Sequence, residues 1–578
     1  MKKLTIGLLL PVVLVGAVFT LTCFQGIDLA DEWFWYSNAY VMSVAPDKAS
    51  YSFGYYLSVL MSSLWGQVMG DSMISFRFLA VFSKLLIMVM SYFILRKIIS
   101  AKSLFWGLTI GGFFTYGGVM TFYGNTCTAL FYMGASVVAY LWIETGYSRH
   151  LFFFGFVLGS GAFARIANVT DFLFLIIIPF YRLVSRQFSV GLIVKDCSKA
   201  LLGWLCGAGA VLGIIALSGC WDSFIEMLGT YATLAEASDS GHSLSDLVMC
   251  QLKYYFDAFY YSLPIVIVVA VSIVSAYATH KVSLRIALSV IIVAAIASAI
   301  ITGRLMLLLC RFEVVSVFIV CFVLACFFER RSNVLTIWVL AMLCLAVSPL
   351  GSDVAGNSNK YCMPLYLPLV FYAIAPGGVM GRFFCCVLKM GEKASENVCK
   401  ILFGLMLILG AGLLRQIWID PIRDNSDRLS LTTCSSVKGL EHIRTTPERA
   451  KAIETIVAKV KENSEPDQPL LVFHSAPGLH ALTGMLPYTC STWSFMLTPK
   501  LFQADIIKAQ GRFNGRLPLV VLPKWAVGCR EWPQEHKAQM ASDDTMRLAR
   551  RQVFCKFLLD NGYKAVFENE DFIIYKVH

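Results

Sequence analysis

Long apolar runs follow one another through the first 419 residues of the chain, separated by short polar segments. Most runs approach the roughly 20 residues that a helix needs to cross a bilayer, although the pair at 151–164 and 167–181 is shorter. The pattern predicts about thirteen membrane-spanning helices. They lie near 4–24, 76–95, 104–121, 126–144, 151–164, 167–181, 199–218, 259–279, 285–303, 312–328, 333–349, 362–380 and 401–419.

Two polar segments between the runs are longer than the others, at 25–75 and 219–258. The first contains a semi-apolar stretch at 53–68, which we expect to lie as a helix along the outer membrane interface. The first apolar run follows Met1-Lys2-Lys3, as in a secretory signal peptide. Because the run is long enough to span and lacks a small-residue cleavage site, we predict an uncleaved first helix with its N-terminus inside.

The pattern changes beyond residue 420, where charges, prolines and turns become frequent. Periodicity and short apolar runs predict helices at 446–462 and 543–560, strands at 470–474 and 517–522, and a terminal hairpin at 563–577. Strands that alternate with helices indicate an α/β domain. The predicted fold is therefore mainly α, with a polytopic transmembrane domain (1–419) followed by a small C-terminal α/β soluble domain (420–578).

Composition and charge agree with a membrane protein. Charged residues make up only 15% of the chain, whereas soluble proteins carry about a quarter. The net charge of +11 does not indicate a nucleic-acid partner, because the Lys and Arg clusters fall in loops on one side of the predicted spans. That side includes the N-terminus and is cytoplasmic by the positive-inside rule. An odd number of spans then places the C-terminal domain outside.

An acidic and aromatic segment, 26–36, directly follows the first apolar run. It brings together Asp28, Asp31 and Glu32 in a chain where acids are scarce. Asp28 and Asp31 are three residues apart and could share one helical face, whereas the adjacent Asp31 and Glu32 point in different directions. The alternative is that the three acids only solvate the end of the loop and cap a following helix, since Asp is a good N-cap.

Three pieces of the segment 1–185 carry a resemblance. They are Asp31-Glu32 after the first span, the run from Tyr55-Tyr56 through Gly70-Asp71-Ser72 to Arg77, and the small-residue stretch Gly155, Gly159 and Ala162 that ends at Arg165. In this order they resemble the GT-C superfamily of polyprenyl-phosphate-sugar-dependent glycosyltransferases, which includes protein O-mannosyltransferases and the aminoarabinose transferases of lipid A. The later pattern at 477–484 is similar to the soluble domain of bacterial members.

The resemblance implies that a sugar moves, with inversion, from a polyprenyl-phosphate-linked donor to an extracytoplasmic glycan, glycolipid or protein. The reaction would take place at the outer face of the bacterial cytoplasmic membrane. Asp31 is implied as the general base that takes the proton of the acceptor, Glu32 as a residue that orients the acceptor, and Asp28 as a further candidate.

Metal binding is not expected from the sequence. Oligosaccharyltransferases of the superfamily hold a divalent metal with additional acids, but the outer segment 121–126 contains none. No Cys-x-x-Cys spacing occurs either, which argues against zinc. We therefore predict a reaction without metal or other cofactor, closer to that of the O-mannosyltransferases.

Basic residues also occur at outer helix ends, where the positive-inside rule does not place them. We expect these residues to hold the donor phosphate, because arginine binds phosphate through paired donors. They are Arg165, Arg304, Arg311 and Lys360. The alternative is that their long side chains reach the outer headgroups, which is favoured for Lys360, while Arg311 has a local partner in Glu313. Lys84, inside the second span, is expected to be paired internally.

Aromatic residues follow the acids directly: Trp33, Phe34, Trp35 and Tyr36. They could stack on a sugar or a polyprenyl chain, or form the aromatic belt of the membrane interface. In the loop 219–258, His242 is expected to be solvated.

Two other functions fit parts of the pattern. A transporter or flippase of a lipid-linked glycan would show internal repeats and charges deep inside several spans, and we find neither in the sequence. A glycan polymerase or ligase would share the substrates but rely on outer-loop arginines such as Arg304 in place of the acidic loop.

Overall fold

The structure, a computed structural model, describes residues 5–116, 120–236, 244–262, 312–350, 355–419, 423–425, 427–524 and 545–577. Helices dominate the chain up to Ile419. Their bounds are α1 Leu10–Thr22, α2 Asp31–Val44, α3 Tyr56–Met69, α4 Met73–Leu95, α5 Ala101–Phe114, α6 Gly124–Thr145, α7 Arg149–Gly161, α8 Ile177–Val184, α9 Val190–Leu217, α10 Trp221–Glu236, α11 Leu244–Tyr261, α12 Phe312–Phe328, α13 Ser332–Val347, α14 Met363–Ala373, α15 Val379–Cys386 and α16 Glu392–Ile419.

Within the described residues, five helical stretches are long and apolar enough to cross a membrane. They are Met73–Leu95, Gly124–Thr145, Ile166–Val184, Val190–Leu217 and Glu392–Ile419. Three shorter apolar helices lie beside them, at Gly7–Thr22, Val314–Phe328 and Ser332–Val347. The predicted polytopic helical architecture is confirmed. The predicted span at 285–303 and all but the first residues of the one at 259–279 lie outside the described residues.

The short predicted span at 167–181 is longer in the structure because two kinds of helix join. A 3₁₀ helix, Ile166–Ile176, continues without a break into α8. The 3₁₀ helix rises about 2.0 Å per residue instead of 1.5 Å, so fewer residues cover the same depth. A length rule based on α-helices underestimates such a span.

The segment 25–75, predicted to lie on the outer side, is mostly helical. The acidic motif opens α2, and a 3₁₀ turn (Ser50–Tyr55) leads into α3. The helix expected at 53–68 therefore exists, and its exposed apolar residues Leu64, Val68 and Met69 lie towards its C-terminal end. The sequence predicted α2 only within the alternative interpretation, in which the three acids cap a following helix.

The C-terminal part folds as the predicted small α/β domain. Its strands are β1 Thr433–Cys434, β2 Arg444–Thr445, β3 Leu470–Val472, β4 Leu519–Pro523, β5 Tyr563–Glu568 and β6 Phe572–Val577, and its helices are α17 Pro447–Asn463, α18 Leu479–Thr483, α19 Pro499–Arg512 and α20 Thr545–Asp560. The main sheet has the order β3-β4-β6-β5, with β3 and β4 parallel and the terminal hairpin antiparallel. The sequence pattern missed helix α19, and it also missed the short helix α18 and the two-residue strands β1 and β2.

Helices α7 and α9 cross so closely that only glycine fits at the crossing. A Cβ atom on Gly159 would lie 2.0 Å from the carbonyl oxygen of Trp204, and one on Gly207 would lie 2.2 Å from that of Phe156. Small residues at such crossings let helix backbones approach, which is how helices associate in lipid. The small-residue stretch that ends at Arg165 is therefore a helix-packing surface.

This crossing can be tested with a matched pair of glycines on α9. Replacing Gly207 by Ala forces the two backbones apart and should destabilise the protein by about 1–3 kcal/mol, as overpacking does. A Cβ atom on Gly209 would have no neighbour within 4 Å, so Gly209→Ala should leave the melting temperature unchanged or raise it. Thermal unfolding of the two variants in detergent measures the difference, and equal melting temperatures would contradict the close crossing.

Candidate active site

The acidic motif lies where the chain turns from α1 into α2, and Asp28 makes the turn. Its carboxylate accepts hydrogen bonds from the backbone N–H groups of Ala30 (2.9 Å) and Glu32 (3.2 Å). The side chain is buried, with 1% exposed. Burial raises the pKa of Asp28 to about 7, although the Arg423 guanidinium opposes the shift. Asp28 thus satisfies the free amides at the start of α2.

Glu32 forms a fully buried ion pair with Arg77 of α4. Arg77 Nε donates to Glu32 Oε1 (3.1 Å) and Nη2 donates to Oε2 (2.6 Å), which is the bidentate geometry of the strongest such pairs. Arg77 also donates to the carbonyl oxygens of Cys23 and Gly26, and the backbone N–H of Met120 donates to Glu32. The pair therefore joins the end of α1, the start of α2, helix α4 and the loop before α6.

Asp31 is the acid of the motif that solvent reaches. About a third of its side chain is exposed (32%), and its carboxylate is in close contact with the guanidinium of Arg423. Arg423 also lies 3.7 Å from Asp28. Asp31 and Glu32 are consecutive in a helix and point in different directions, so one faces an opening and the other the protein interior. Nothing in the local sequence marked Arg423 as their partner.

A buried lysine lies under the acidic motif. The Nζ atom of Lys84 is 3.6 Å from the sulfur of Met120, and its ring neighbours are Phe19 (5.4 Å to the centroid) and Tyr361 (5.8 Å). Lys84 is fully buried, and within the described residues it forms no ion pair with a carboxylate. Glu32 attracts it at longer range but is already paired with Arg77. Among the described residues, the internal partner of Lys84 is thus the sulfur of Met120 rather than a carboxylate.

A pair of tyrosines packs between helix α2 and Lys84. The hydroxyl groups of Tyr123 and Tyr361 share a hydrogen bond of 2.6 Å. Burial raises the pKa of Tyr123, and its ring packs against Trp35 of α2, with centroids 5.7 Å apart. Two lysines lie near the ring of Tyr361, with Lys84 Nζ 5.8 Å and Lys360 Nζ 5.2 Å from its centroid. The tyrosine pair thus contacts the helix of the acidic motif through Trp35 and lies beside the buried lysine.

The predicted phosphate-binding residues have different positions. Arg165 donates to the side chain of Asn125 (2.9 Å) and to the carbonyl oxygens of Ser348 and Leu350, so neutral acceptors hold it at the helix ends. Lys360 is buried beside Tyr361. Arg304 and Arg311 lie outside the described residues, as does His242. The structure therefore brings Lys360 and Lys84 together near the ring of Tyr361, and it adds Arg423 as a cation in contact with Asp31.

The C-terminal part of the chain covers Trp33, Phe34 and Tyr36 of α2, whereas Trp35 packs against Tyr55 and Tyr123. All four are buried, including Trp33 (1% exposed) and Tyr36 (3%). The ring of Trp33 lies against Gly478, where a Cβ atom would be 2.3 Å from the indole. Ser37 donates to the carbonyl oxygen of Pro477 at 2.7 Å. Neither an interfacial belt nor an exposed sugar platform describes these four residues.

The linker after α16 also holds the acidic motif. Asp424 accepts hydrogen bonds from the backbone N–H of Ile27 (2.9 Å) and the hydroxyl of Thr445 (2.6 Å), and Arg449 lies 3.3 Å from it. Arg449 donates in turn to the carbonyl oxygen of Ile27 (2.8 Å). These groups are almost completely buried. The backbone before Asp28 is therefore fixed on both its N–H and its C=O side by residues from the C-terminal part.

A metal would find few ligands in the described part of the chain. No group of three His, Cys, Asp or Glu side chains comes together there in a way that could hold an ion. Arginines occupy the places where a cation would neutralise the acidic motif. These residues do not fit a divalent metal.

The buried Glu32–Arg77 pair should be essential for folding. Arg77→Met leaves Glu32 as an uncompensated buried charge, which should destabilise the protein by about 3–5 kcal/mol. The control is Lys97→Met, which breaks the exposed pair with Glu144 and should have a much smaller effect, because exposed pairs contribute little. Melting temperatures in detergent measure both, and equal values would show that the buried pair is dispensable.

The fold can be compared with known proteins once this geometry is established. No family model matches the sequence, and no curated protein matches it. Among solved structures, ArnT from Cupriavidus metallidurans bound to undecaprenyl phosphate is similar, with a TM-score of 0.50 and 10% identity over 98% of this chain and 97% of that one. Archaeal oligosaccharyltransferase AglB from Archaeoglobus fulgidus, in complex with an inhibitory peptide and a dolichol-phosphate, has a TM-score of 0.49 and 10% identity over 90% of this chain and 69% of that one. The chain has the polytopic helical fold of ArnT, so the predicted GT-C-like fold is confirmed.

Proposed function

We propose that the protein is a membrane glycosyltransferase that moves a sugar, with inversion, from a polyprenyl-phosphate-linked donor to an extracytoplasmic acceptor. One observation carries the proposal. The helix that begins at the solvent-reachable carboxylate Asp31 contacts Tyr123 through Trp35. The hydroxyl of Tyr123 is bonded to that of Tyr361, which lies beside Lys84, a buried ammonium with no carboxylate partner among the described residues. A buried unpaired cation is costly, and an anionic ligand would neutralise it.

Asp31 is the acid best placed to act as general base. Asp28 has a pKa of about 7, which suits a base near neutral pH, but its carboxylate is buried and already accepts backbone hydrogen bonds. Geometry is considered before pKa in choosing a base. Glu32 has both oxygens engaged by Arg77 and Met120. We propose that Glu32 is a positioning residue. Its pair with Arg77 fixes the start of α2 so that Asp31 is directed at the acceptor.

The donor phosphate would bind on the lysine side of the tyrosine pair. Lys84 and Lys360 flank Tyr361, and Arg165 orients the neighbouring Asn125. Arg304 and Arg311 remain predicted phosphate ligands from the sequence. ArnT binds undecaprenyl phosphate on a similar fold, which supports a polyprenyl-phosphate donor here. Cations at the phosphate stabilise the charge that develops as it leaves.

The reaction is a single displacement. Asp31 takes the proton of the acceptor hydroxyl, the acceptor oxygen bonds to the anomeric carbon, and the bond from that carbon to the phosphate oxygen breaks. One displacement from the opposite face inverts the anomeric centre. We propose that no metal takes part, since arginines neutralise the acids. Transfer that stops on addition of EDTA and resumes with a divalent ion would contradict this part.

The proposed location is the cytoplasmic membrane of a bacterium, with the site on the outer side. The acidic motif and the C-terminal domain must share a side, because Asp424, Pro477 and Arg449 contact α2 or the turn before it. Pairs rich in arginine, such as Glu329 with Arg331 and Arg382, lie in the loops assigned to the cytoplasm. The acceptor is then a glycan, a glycolipid or a protein outside the cell membrane.

The first test separates the two aspartates. In membranes supplied with a sugar-bearing polyprenyl phosphate, Asp31→Asn should reduce transfer by about 100-fold or more, the contribution of a general base. Asp28→Asn should lose much less, because an asparagine oxygen still caps Ala30. Radiolabelled sugar incorporation measures both. Undiminished transfer by a folded Asp31→Asn protein would exclude Asp31 as the base, and dependence on Arg304 alone would favour a polymerase or ligase.

The second test concerns the buried lysine. Lys84→Met removes the charge but keeps the side-chain volume, so it should raise the melting temperature of the empty protein while weakening binding of undecaprenyl phosphate roughly tenfold or more. Lys102→Met is the control, because Lys102 also lies over an aromatic ring, that of Phe403, but far from the acidic motif in the predicted topology. Equal affinity in wild type and Lys84→Met would exclude Lys84 as a phosphate ligand.

A further inference from the structure

The linker residue Arg423 is the cation closest to the proposed base, and the fold alone assigns it no role. It comes after the last long apolar helix, which ends at Ile419, and before the first strand of the C-terminal domain. Its guanidinium contacts Asp31 and lies 3.7 Å from Asp28. Two arginines therefore neutralise the three acids of the motif. Arg77 does so in the interior, and Arg423 does so at the solvent-exposed side.

Arg423 combines a fixed backbone with a partly exposed side chain. The next residue, Asp424, is anchored by Ile27, Thr445 and Arg449. Arg423 itself has a φ of 53°, a left-handed conformation that few non-glycine residues adopt and that occurs often at functional sites. Its side chain is 30% exposed. The contacts of Asp424 fix the backbone position of Arg423. Its partly exposed side chain can still rotate towards a ligand.

The contact between Arg423 and Asp31 lies at the start of the helix that packs against the tyrosine pair. Trp35 of that helix packs on Tyr123, whose hydroxyl is bonded to that of Tyr361, beside Lys84. A phosphate bound between the lysines and the tyrosine pair would have Arg423, which contacts the proposed base, on its acceptor side.

In the proposed reaction, negative charge moves from Asp31 to the donor phosphate. Before transfer, Asp31 carries one negative charge and the sugar phosphodiester carries another. As the acceptor proton goes to Asp31 and the electron pair of the broken C–O bond goes to the phosphate oxygen, Asp31 becomes neutral and the phosphate becomes a dianion. The attraction of a guanidinium between them shifts from the base to the leaving group.

We propose that Arg423 is a catalytic residue that is paired with Asp31 in the empty enzyme and transfers its hydrogen bonds to the departing phosphate as Asp31 takes the proton. This inference rests on the proposed function. Arginine suits the role because its five donors in one plane can serve a carboxylate and a phosphate together, whereas lysine is a point charge. The C-terminal part of the chain then contributes a residue to the chemistry itself.

The test uses the full-length protein in lipid nanodiscs and compares a substrate with a product. Arg423→Gln should lower kcat by about 100-fold, as loss of one preorganised charge-stabilising donor does, with a small change in donor KM. Inhibition by the product, undecaprenyl phosphate, should weaken about tenfold, because the dianion depends on the guanidinium more than the monoanionic donor does. Arg423→Lys should recover part of both losses.

Arg444→Gln is the matched control, because Arg444 is an exposed arginine of the same region whose backbone bonds to Phe24 and Gly26. It should behave as wild type. A purely structural role for Arg423 would lower the yield and melting temperature but leave the ratio of donor KM to product inhibition constant unchanged, and that result would overturn the proposal.

A second variant covers the case in which Arg423→Gln does not fold. Asp31→Asn combined with Arg423→Gln removes both charges of the pair and leaves neither unpaired. It should bind undecaprenyl phosphate about tenfold more weakly than Asp31→Asn alone, and equal binding would overturn the proposal. If wild type transfers sugar and the Arg423 variants transfer sugar and bind undecaprenyl phosphate equally well, only this inference fails. If wild type neither transfers sugar nor binds undecaprenyl phosphate, the proposed function fails with it.

Discussion

The geometry of the site depends on the ion pair between Glu32 and Arg77. Neither side chain is exposed, and each oxygen of Glu32 receives a donor from Arg77. In an apolar protein a charge without its partner is unstable, so the two residues fix one another. Arg77 extends this constraint to the carbonyl oxygens of Cys23 and Gly26. The end of the first membrane helix, the start of α2 and the second long apolar helix are therefore held as one unit, and Asp31 takes its direction from that unit.

The second constraint comes from the opposite end of the chain. The linker and the C-terminal domain bind the acidic motif through three kinds of contact. Asp424 and Arg449 hold the backbone of Ile27, Arg423 neutralises Asp31, and the segment around Pro477 covers α2. The domain therefore forms part of the site, because without it the acids of the motif would lose cations and the aromatic side of α2 would face water.

Elements that depend on local pattern could be predicted from the sequence. The spans at 76–95 and 126–144 agree with α4 and α6 within a few residues, since a long apolar run in lipid has no alternative to a helix. The amphipathic helix at 446–462 and the terminal hairpin are equally local and are also present. Helix α19 was missed because its periodicity is interrupted by polar residues such as Asp505, which is buried and bonds to Arg512 and the backbone of Cys490.

The site could be predicted only in part, because it is made of pairs between distant residues. The three acids were found, since they stand out from an apolar background. A single sequence does not show that Arg77 and Arg423 are their partners, or which acid each arginine contacts. The partner of Lys84 could not be named from the sequence for a related reason. Its neighbours, Met120 and two aromatic rings, come together through the packing of helices, which the hydrophobic pattern does not determine.

The contact between α2 and segments from the far end of the chain has a consequence for biogenesis. Residues 31–44 leave the ribosome early, whereas Arg423 and the segment around Pro477 are synthesised hundreds of residues later. Until that part has folded against α2, Trp33 and Tyr36 have no cover and Asp31 has no guanidinium beside it. A chain interrupted before that point leaves these aromatic side chains exposed. Only chains in which the C-terminal part has been synthesised and folded possess an assembled site.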